Sequence, residues 1–252
     1  MSKQRRVAWV TGAGKGIGRA LAMRLARDGW TVAASSRTNG DLEALAAHAP
    51  PGNIHPFVLD VTNASGTEDV LAAIENRLGV IELAVLNAGT YIPTGAQPFS
   101  IDAFRTQIEV NVMGTVNGIA GLLPRLITRR SGHIAVMASV AGYRGLPSAS
   151  AYGATKAALI NMCEVLKVEL EPYNVAISVI CPGFVKTPLT DKNAFPMPFL
   201  LSTDEAADYI MAGLSAKRFE IAFPPLFATM MKVLRLLPNG LFFSITRRMR
   251  RK

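Results

Sequence analysis

The sequence is poor in the residues that build disulfide and metal frameworks. Its 252 residues hold two cysteines, Cys163 and Cys181, and three histidines, His48, His55 and His133. Two thiols without Cys-x-x-Cys spacing make no disulfide scaffold. None of the histidines stands at metal-ligand spacing, so no metal site is expected. No run of about eighteen apolar residues occurs, so no membrane-spanning helix is expected either. The basic start, Lys3-Gln4-Arg5-Arg6, leads into an apolar stretch that ends at Thr11-Gly12. That is too short for a secretory leader, and a reducing, cytoplasmic location is the expectation. Acid is missing from one end. No Asp or Glu follows Glu220, while Lys232, Arg235, Arg247, Arg248, Arg250, Arg251 and Lys252 do. These seven cations carry most of the net charge of +9 and leave the first 220 residues near +2. The charge therefore belongs to a tail. It is poor ground for a nucleic-acid partner, since the tail has no recognisable fold for reading bases.

Half of the residues are hydrophobic, which supplies a core and excludes disorder as the main state. Strand-like and helix-like patterns alternate. Strands are predicted at 6–10, 31–35, 54–61, 83–86, 133–138, 175–180 and 219–223. Helices are predicted at 17–28, 42–47, 70–78, 101 to about 127, 151–170 and 203–214. Strands separated by helices imply βαβ units, right-handed crossovers and a parallel sheet covered on both faces. The reading is an α/β, doubly wound, seven-stranded domain over residues 1–225, with a helical appendage from about Leu226.

The first strand runs into Thr11-Gly12-Ala13-Gly14-Lys15-Gly16-Ile17-Gly18. Gly-x-Gly-x-x-Gly does not fit, because Ile17 and Arg19 stand where its last glycine is needed; Thr-Gly-x-x-x-Gly-x-Gly does. Such glycines turn the chain tightly, bring backbone N–H groups to a pyrophosphate and aim a helix N-terminus at it. A ligand-free strand–helix turn is the alternative. The second strand ends in Ser36-Arg37, where an NAD site normally offers an acid to the ribose 2′-hydroxyl. A guanidinium there suits a 2′-phosphate, and Lys15 could reach the same group. NADP(H) is expected rather than NAD(H), the alternative being two solvated cations.

Tyr152 and Lys156 share a helix face at i and i+4. Ser139 ends the fifth strand and Asn111 lies in the long helix after the fourth. In a parallel sheet these positions converge at the C-terminal strand edge, where ligands bind. Together with Asp60-Val61, Asn87-Ala88-Gly89 and Pro182-Gly183 with Thr187, these residues give the chain a resemblance to the compact short-chain dehydrogenase/reductase family, whose fold is Rossmann-like. The resemblance covers about residues 6 to 190. It implies that Tyr152 is the general acid or base, that Lys156 lowers its pKa and holds the nicotinamide ribose, and that Ser139 orients the carbonyl. It also implies that Asn111 holds a proton-relay water. Asn87, Ala88 and Gly89 would line the cofactor, Asp60 and Val61 the adenine, and Pro182, Gly183, Val185 and Thr187 the nicotinamide. A hydride-transferring oxidoreductase assembled as a homodimer or homotetramer is expected. A non-catalytic NADPH-binding protein or a membrane-surface regulatory protein on the same fold is the alternative.

Residues 184–201 occupy the place of the family's substrate lid. They include Phe184, Val185, Leu189, Phe195, Met197, Phe199, Leu200 and Leu201. With Ile92, Pro93, Tyr143 and Leu146 as further walls, they suggest an apolar substrate such as an acyl chain, a lipid ketone or a sterol-like ketone. Burial of the lid against the core explains them equally. From Leu226 onward two short amphipathic helices are predicted around Pro238-Asn239-Gly240. They could close the pocket, form a subunit interface or rest on a membrane.

Overall fold

The computed structural model describes residues 6–97, 99–192 and 196–248. Phe195 of the expected lid and Arg250, Arg251 and Lys252 of the tail lie outside them. The strands β1 (Val7–Thr11), β2 (Thr31–Ser36), β3 (Ile54–Val58), β4 (Ile81–Leu86), β5 (His133–Met137), β6 (Ala176–Pro182) and β7 (Glu220–Phe223) form a single sheet. It is seven-stranded, in the order β3-β2-β1-β4-β5-β6-β7, and every pair is parallel. All of β1 is buried, as a strand covered on both faces must be, and its Val-Ala-Trp-Val run shows no polar alternation.

Helices α1 (Gly16–Arg27), α2 (Asn39–His48) and α7 (Thr203–Ser215) cover one face through Leu21, Leu25, Leu42, Leu45, Ile210 and Leu214. Helices α3 (Ala64–Leu78), α5 (Gly114–Arg129) and α6 (Ser150–Glu169) cover the other through Leu71, Ile74, Leu122, Leu126, Leu159 and Cys163. The order of the strands reverses between β1 and β4. That switch point opens a crevice at the C-terminal strand ends.

Several boundaries differ from expectation, with α2, α3 and β4 beginning earlier, at Asn39, Ala64 and Ile81; three other differences have local reasons. β3 stops at Val58 rather than Val61, because Asp60 folds back to accept from the backbone N–H and hydroxyl of Thr62 at 3.0 and 2.8 Å. β6 continues to Pro182, carrying the strand to the rim of the crevice. The long helix is not uniform. Helix α4 (Ile101–Gln107) passes through a π-helical turn, Ile108–Met113, before α5 begins. A residue inserted in this way redirects side chains, and such turns are common at functional sites. The stretch 101–129 has the length of a membrane span, and its most apolar eighteen residues have a mean hydropathy of 1.2. Here Gly118 instead rests on Leu86 of the sheet and Gly121 on Leu71 of α3.

The appendage is two helices, α8 (Pro225–Leu236) and α9 (Asn239–Arg247). One side chain outside it organises the pair. The Nη1 of Arg144, in the loop after β5, donates to the carbonyls of Leu234, Arg235 and Leu237 at 3.2, 2.9 and 2.6 Å. Its Nη2 donates to Asn239 Oδ1 at 2.6 Å, and the guanidinium lies 4.0 Å from the centre of the Phe242 ring. The last carbonyls of a helix have no intrahelical partner, and a cation satisfies them while answering the helix dipole. Arg144→Ala should lower stability by about 2 kcal/mol, or about 4–8 °C in Tm. A calorimetric Tm equal to that of the parent would show that the helices hold without it.

Candidate active site

At the switch point β1 leads into the turn before α1, with Gly12 and Gly16 both left-handed at φ 66° and 56°. A Cβ on Gly18 would collide with the Gly12 carbonyl and the Asn87 side-chain amide, so only glycine lets α1 close on the turn. The strand ends are stitched together across this turn. Asn87 Nδ2 donates to Thr11 O at 2.9 Å, and Thr11 Oγ1 accepts from the backbone N–H groups of Asn87 and Ala88, both at 3.0 Å. Thr11 stands in the sequence motif, yet its part in joining β1 to β4 becomes visible only in the fold.

A cleft of about 260 Å³ opens over these strand ends. One end is lined by Gly12, Lys15, Gly16, Ile17 and Gly18, with Asn87, Ala88 and Gly89 along one wall. Pro182, Gly183, Val185, Thr187 and Leu189 line the opposite side, and Ser139, Tyr152 and Lys156 the other end. Thr187 stands across the cleft from Gly16, where an added Cβ would come within 3.2 Å of its Cγ2. Thr190, Thr90 and Met137 also line it and carried no signal in the sequence.

Gly14, Ser36, Arg37, Asp60 and Val61 do not line this cleft; they gather beyond its Lys15 end. A Cβ on Gly14 would lie 3.1 Å from both Ser36 Oγ and Asp41 Cβ. Arg37 and the two Thr62 hydrogen bonds, the bonds foremost, hold the Asp60 carboxyl below its ordinary range. Val61 packs on the start of α5, where Asn117 Nδ2 donates to its carbonyl at 2.9 Å. Sequence reasoning overlooked Asp41. This first-turn acid of α2 pairs with Lys15 at 3.3 Å. An acid is therefore present near Ser36 after all, brought by a helix rather than by the strand end.

At the other end, Ser139 Oγ accepts from Ala141 N–H at 3.1 Å and donates to Pro182 O at 3.3 Å. Tyr152 enters from the first turn of α6 and lines the same end of the cleft as Ser139. Its ring meets Tyr91 edge-on, with centroids 5.2 Å apart. Lys156, one turn on, places Nζ 5.6 Å from the centre of the Tyr152 ring and donates to Met137 O at 2.7 Å. Burial pushes the lysine down to about 8. It pushes the tyrosine up to about 12, with the Ser139 hydrogen bond pulling the other way. Desolvation sets the direction for the phenol, and the group that pulls it down is Ser139 rather than Lys156.

Two buried amides hold the loop that carries Tyr91. Asn111, from the π turn, accepts from Thr90 N–H at 2.7 Å and donates to Thr90 O at 3.0 Å. Gln107 does the same for Ile92, at 3.2 and 3.0 Å. Each amide replaces the partner a neighbouring strand would have given. Asn111 also donates to Thr155 Oγ1 at 3.1 Å, which ties the loop to α6. Its side chain is occupied by protein; the relay water that the resemblance assigns to it concerns a further role.

On the substrate side, Leu189 lines the cleft as expected, whereas Phe184 faces Phe227 of α8 at 5.6 Å. Tyr143 must be corrected. It is buried in the core, with its hydroxyl donating to Glu220 Oε1 at 2.6 Å, and so forms no wall of the cleft. Ile92, Pro93 and Leu146 do not line it either.

The chain matches the short chain dehydrogenase family model over residues 6–195. It is 39% identical to an uncharacterized oxidoreductase of Myxococcus xanthus across 97% of this chain and 98% of that protein. It is 32% identical to the 3-oxoacyl-(acyl-carrier-protein) reductase of Thermotoga maritima, across 76% of this chain and 79% of that one. A short chain dehydrogenase/reductase from Burkholderia phymatum, solved in complex with NAD, superposes with a TM-score of 0.82 at 24% identity. The match covers 92% of this chain and 93% of that one. With a serine, a tyrosine and a lysine meeting at the far end of a glycine-walled cleft, the chain belongs to the short-chain dehydrogenase/reductase family, as an oxidoreductase acting between alcohol and carbonyl.

Proposed function

We propose that the protein is an NADP(H)-dependent carbonyl reductase, or alcohol dehydrogenase in reverse, acting on an apolar ketone or aldehyde. The carrying observation is the meeting of Ser139, Tyr152 and Lys156 at one end of the cleft, with Lys156 Nζ 5.6 Å from the centre of the Tyr152 ring. The family uses nicotinamide cofactors, and the residues present fit one: Gly12, Gly16 and Gly18 line the cleft at the N-terminus of α1 and put no side chain in the way of a pyrophosphate. The helix α1 N-terminus and the Gly12–Gly18 turn would hold that pyrophosphate. Pro182, Gly183, Val185 and Thr187 would cover the nicotinamide, and Asp60 and Val61 would flank the adenine. A nicotinamide held there would supply hydride chemistry, to a carbonyl carbon or from an alcohol. Tyr152 donates its proton to the carbonyl oxygen, Ser139 orients that oxygen, and Lys156 steadies the phenolate left behind. Asn111 keeps Thr90 and α6 in register and completes the proton path with a bound water.

The preference for NADP(H) rests on Arg37, and on Lys15 although it pairs with Asp41 at 3.3 Å, with no acid at the end of β2 itself. The structural neighbour binds NAD, so the fold alone makes no choice. Arg37→Glu should raise the KM for NADPH about a hundredfold and leave that for NADH nearly unchanged. Equal effects on both would remove the 2′-phosphate assignment. The apolar substrate is supported by Leu189, Pro188 and Val185 in the cleft wall. A homodimer or homotetramer is supported by the exposed Ile101, Met113, Val165 and Val168 on the long helices, with light scattering as the check.

The experiment for the whole reading follows NADPH and NADH oxidation across soluble and long-chain ketones and aldehydes. Turnover with NADPH and an apolar carbonyl is expected, and no turnover with any of them would reject it. The same assay carries a pH prediction. Below pH about 8 Lys156 is charged and can stabilise the phenolate; above it the charge is lost. The kcat/KM for reduction should therefore be level below about 8 and fall above it, and Lys156→Arg should move that limb to higher pH.

A further inference from the structure

Helices α8 and α9 bury one face against the domain and leave another bare. On α8, Ala228 and Met231 are buried, with Phe227 and Leu234 packed beside them. On its opposite side Leu226, Met230, Val233 and Leu236 follow at helical spacing, each more than half exposed and Leu236 82% exposed. On α9, Phe242 is buried, while Leu241, Phe243 and Ile245 are exposed. The pair thus holds seven of the eighteen large exposed hydrophobics among the described residues. Concentrations of this kind mark contact surfaces.

The charge around this row has one sign. Lys232 is paired to Glu220, but Arg235, Arg247 and Arg248 are exposed, and no Asp or Glu follows Glu220. The scaffold beneath is already built, because Arg144 joins the end of α8 to α9, so little ordering is left to do on binding. We propose that the α8–α9 pair is a preformed docking face for an anionic lipid bilayer. The apolar row enters the boundary between headgroups and acyl chains, and the arginines lie on the headgroup phosphates. A nucleic acid would engage the arginines and leave the apolar row in water. A second copy meeting the face symmetrically would set arginine against arginine, with no acid in the tail to answer them. Phe227, on the buried side of α8, meets Phe199 at 6.0 Å as well as Phe184, so the exposed Phe199 and Leu200 stand next to the helix.

The test is co-sedimentation of the full chain with vesicles of phosphatidylcholine alone and of phosphatidylcholine with phosphatidylglycerol. Binding is expected to the mixed vesicles only, and it should weaken at high salt. The double variant Val233→Asp, Leu236→Asp should bind at least about tenfold less, as should Arg247→Glu with Arg248→Glu, with Tm and elution volume unchanged. No binding by the parent protein overturns the proposal, as does equal binding by the variants. If Leu236→Asp instead converts the protein to a smaller species and no form binds vesicles, the face is a contact between copies and the proposal fails.

Discussion

Tyr152→Phe is expected to cut kcat about a thousandfold and leave the Kd for the nicotinamide cofactor unchanged. Only the hydroxyl is removed. The ring keeps its edge contact with Tyr91 and its place beside Lys156, so the fold and the cleft survive. The remaining polar groups at that end are already committed. Ser139 is shared between Ala141 N–H and Pro182 O, and Lys156 donates to Met137 O. Single-turnover hydride transfer together with a fluorescence titration of the cofactor separates the two quantities. A kcat within tenfold of the parent would mean that another group supplies the proton.

The second large effect comes from a residue that never touches a ligand. Gly142, just after β5, lies against the backbone of α6. A Cβ there would stand 2.7 Å from the Lys156 carbonyl carbon and 2.8 Å from Ala157 N and Lys156 O. These are main-chain atoms at the turn of the helix that carries the lysine, so no rotamer change relieves the clash. Gly142→Ala must displace α6 and with it Tyr152 and Lys156. A displacement near an ångström costs about a hundredfold in kcat, and the overpacking costs about 1–3 kcal/mol of stability. Gly145, three residues on, has nothing within 4 Å of where its Cβ would stand. Gly145→Ala should therefore leave both quantities unchanged. Equal behaviour of the two variants in a kcat and Tm comparison would contradict the packing argument.

The order of strands and helices was legible because a parallel sheet writes itself as apolar runs separated by amphipathic ones. Thr11 to Gly18, Ser139, Tyr152 and Lys156 were legible because their chemistry depends on spacing along the chain. What stayed hidden depends on direction. Nothing in the sequence says that Tyr143 turns inward to Glu220, or that Phe184 turns to Phe227 while Leu189 turns to the cleft. A hydrophobe in a loop has no period to reveal its face. Asp41 escaped because the site was sought at the end of a strand, whereas the acid arrives on a helix. Gln107 and Asn111 read as polar residues in a helix; that each pairs both backbone groups of a loop residue requires the π turn, which no heptad or 3.6-residue pattern announces.

Arg144 has a consequence in time. Its carbonyl partners at Leu234, Arg235 and Leu237 lie 90 to 93 residues further along the chain. At ordinary rates of synthesis, about 5–20 residues per second, they emerge from the ribosome about 5–20 s later. Until then the loop beside Ser139 carries an unanswered guanidinium, and β6 waits for β7, its outer neighbour. The loop that carries Arg144 is therefore among the last parts of the nascent domain to be locked, and a growing chain arrested before residue 234 holds Asn111, Ser139, Tyr152 and Lys156 without the clasp behind them.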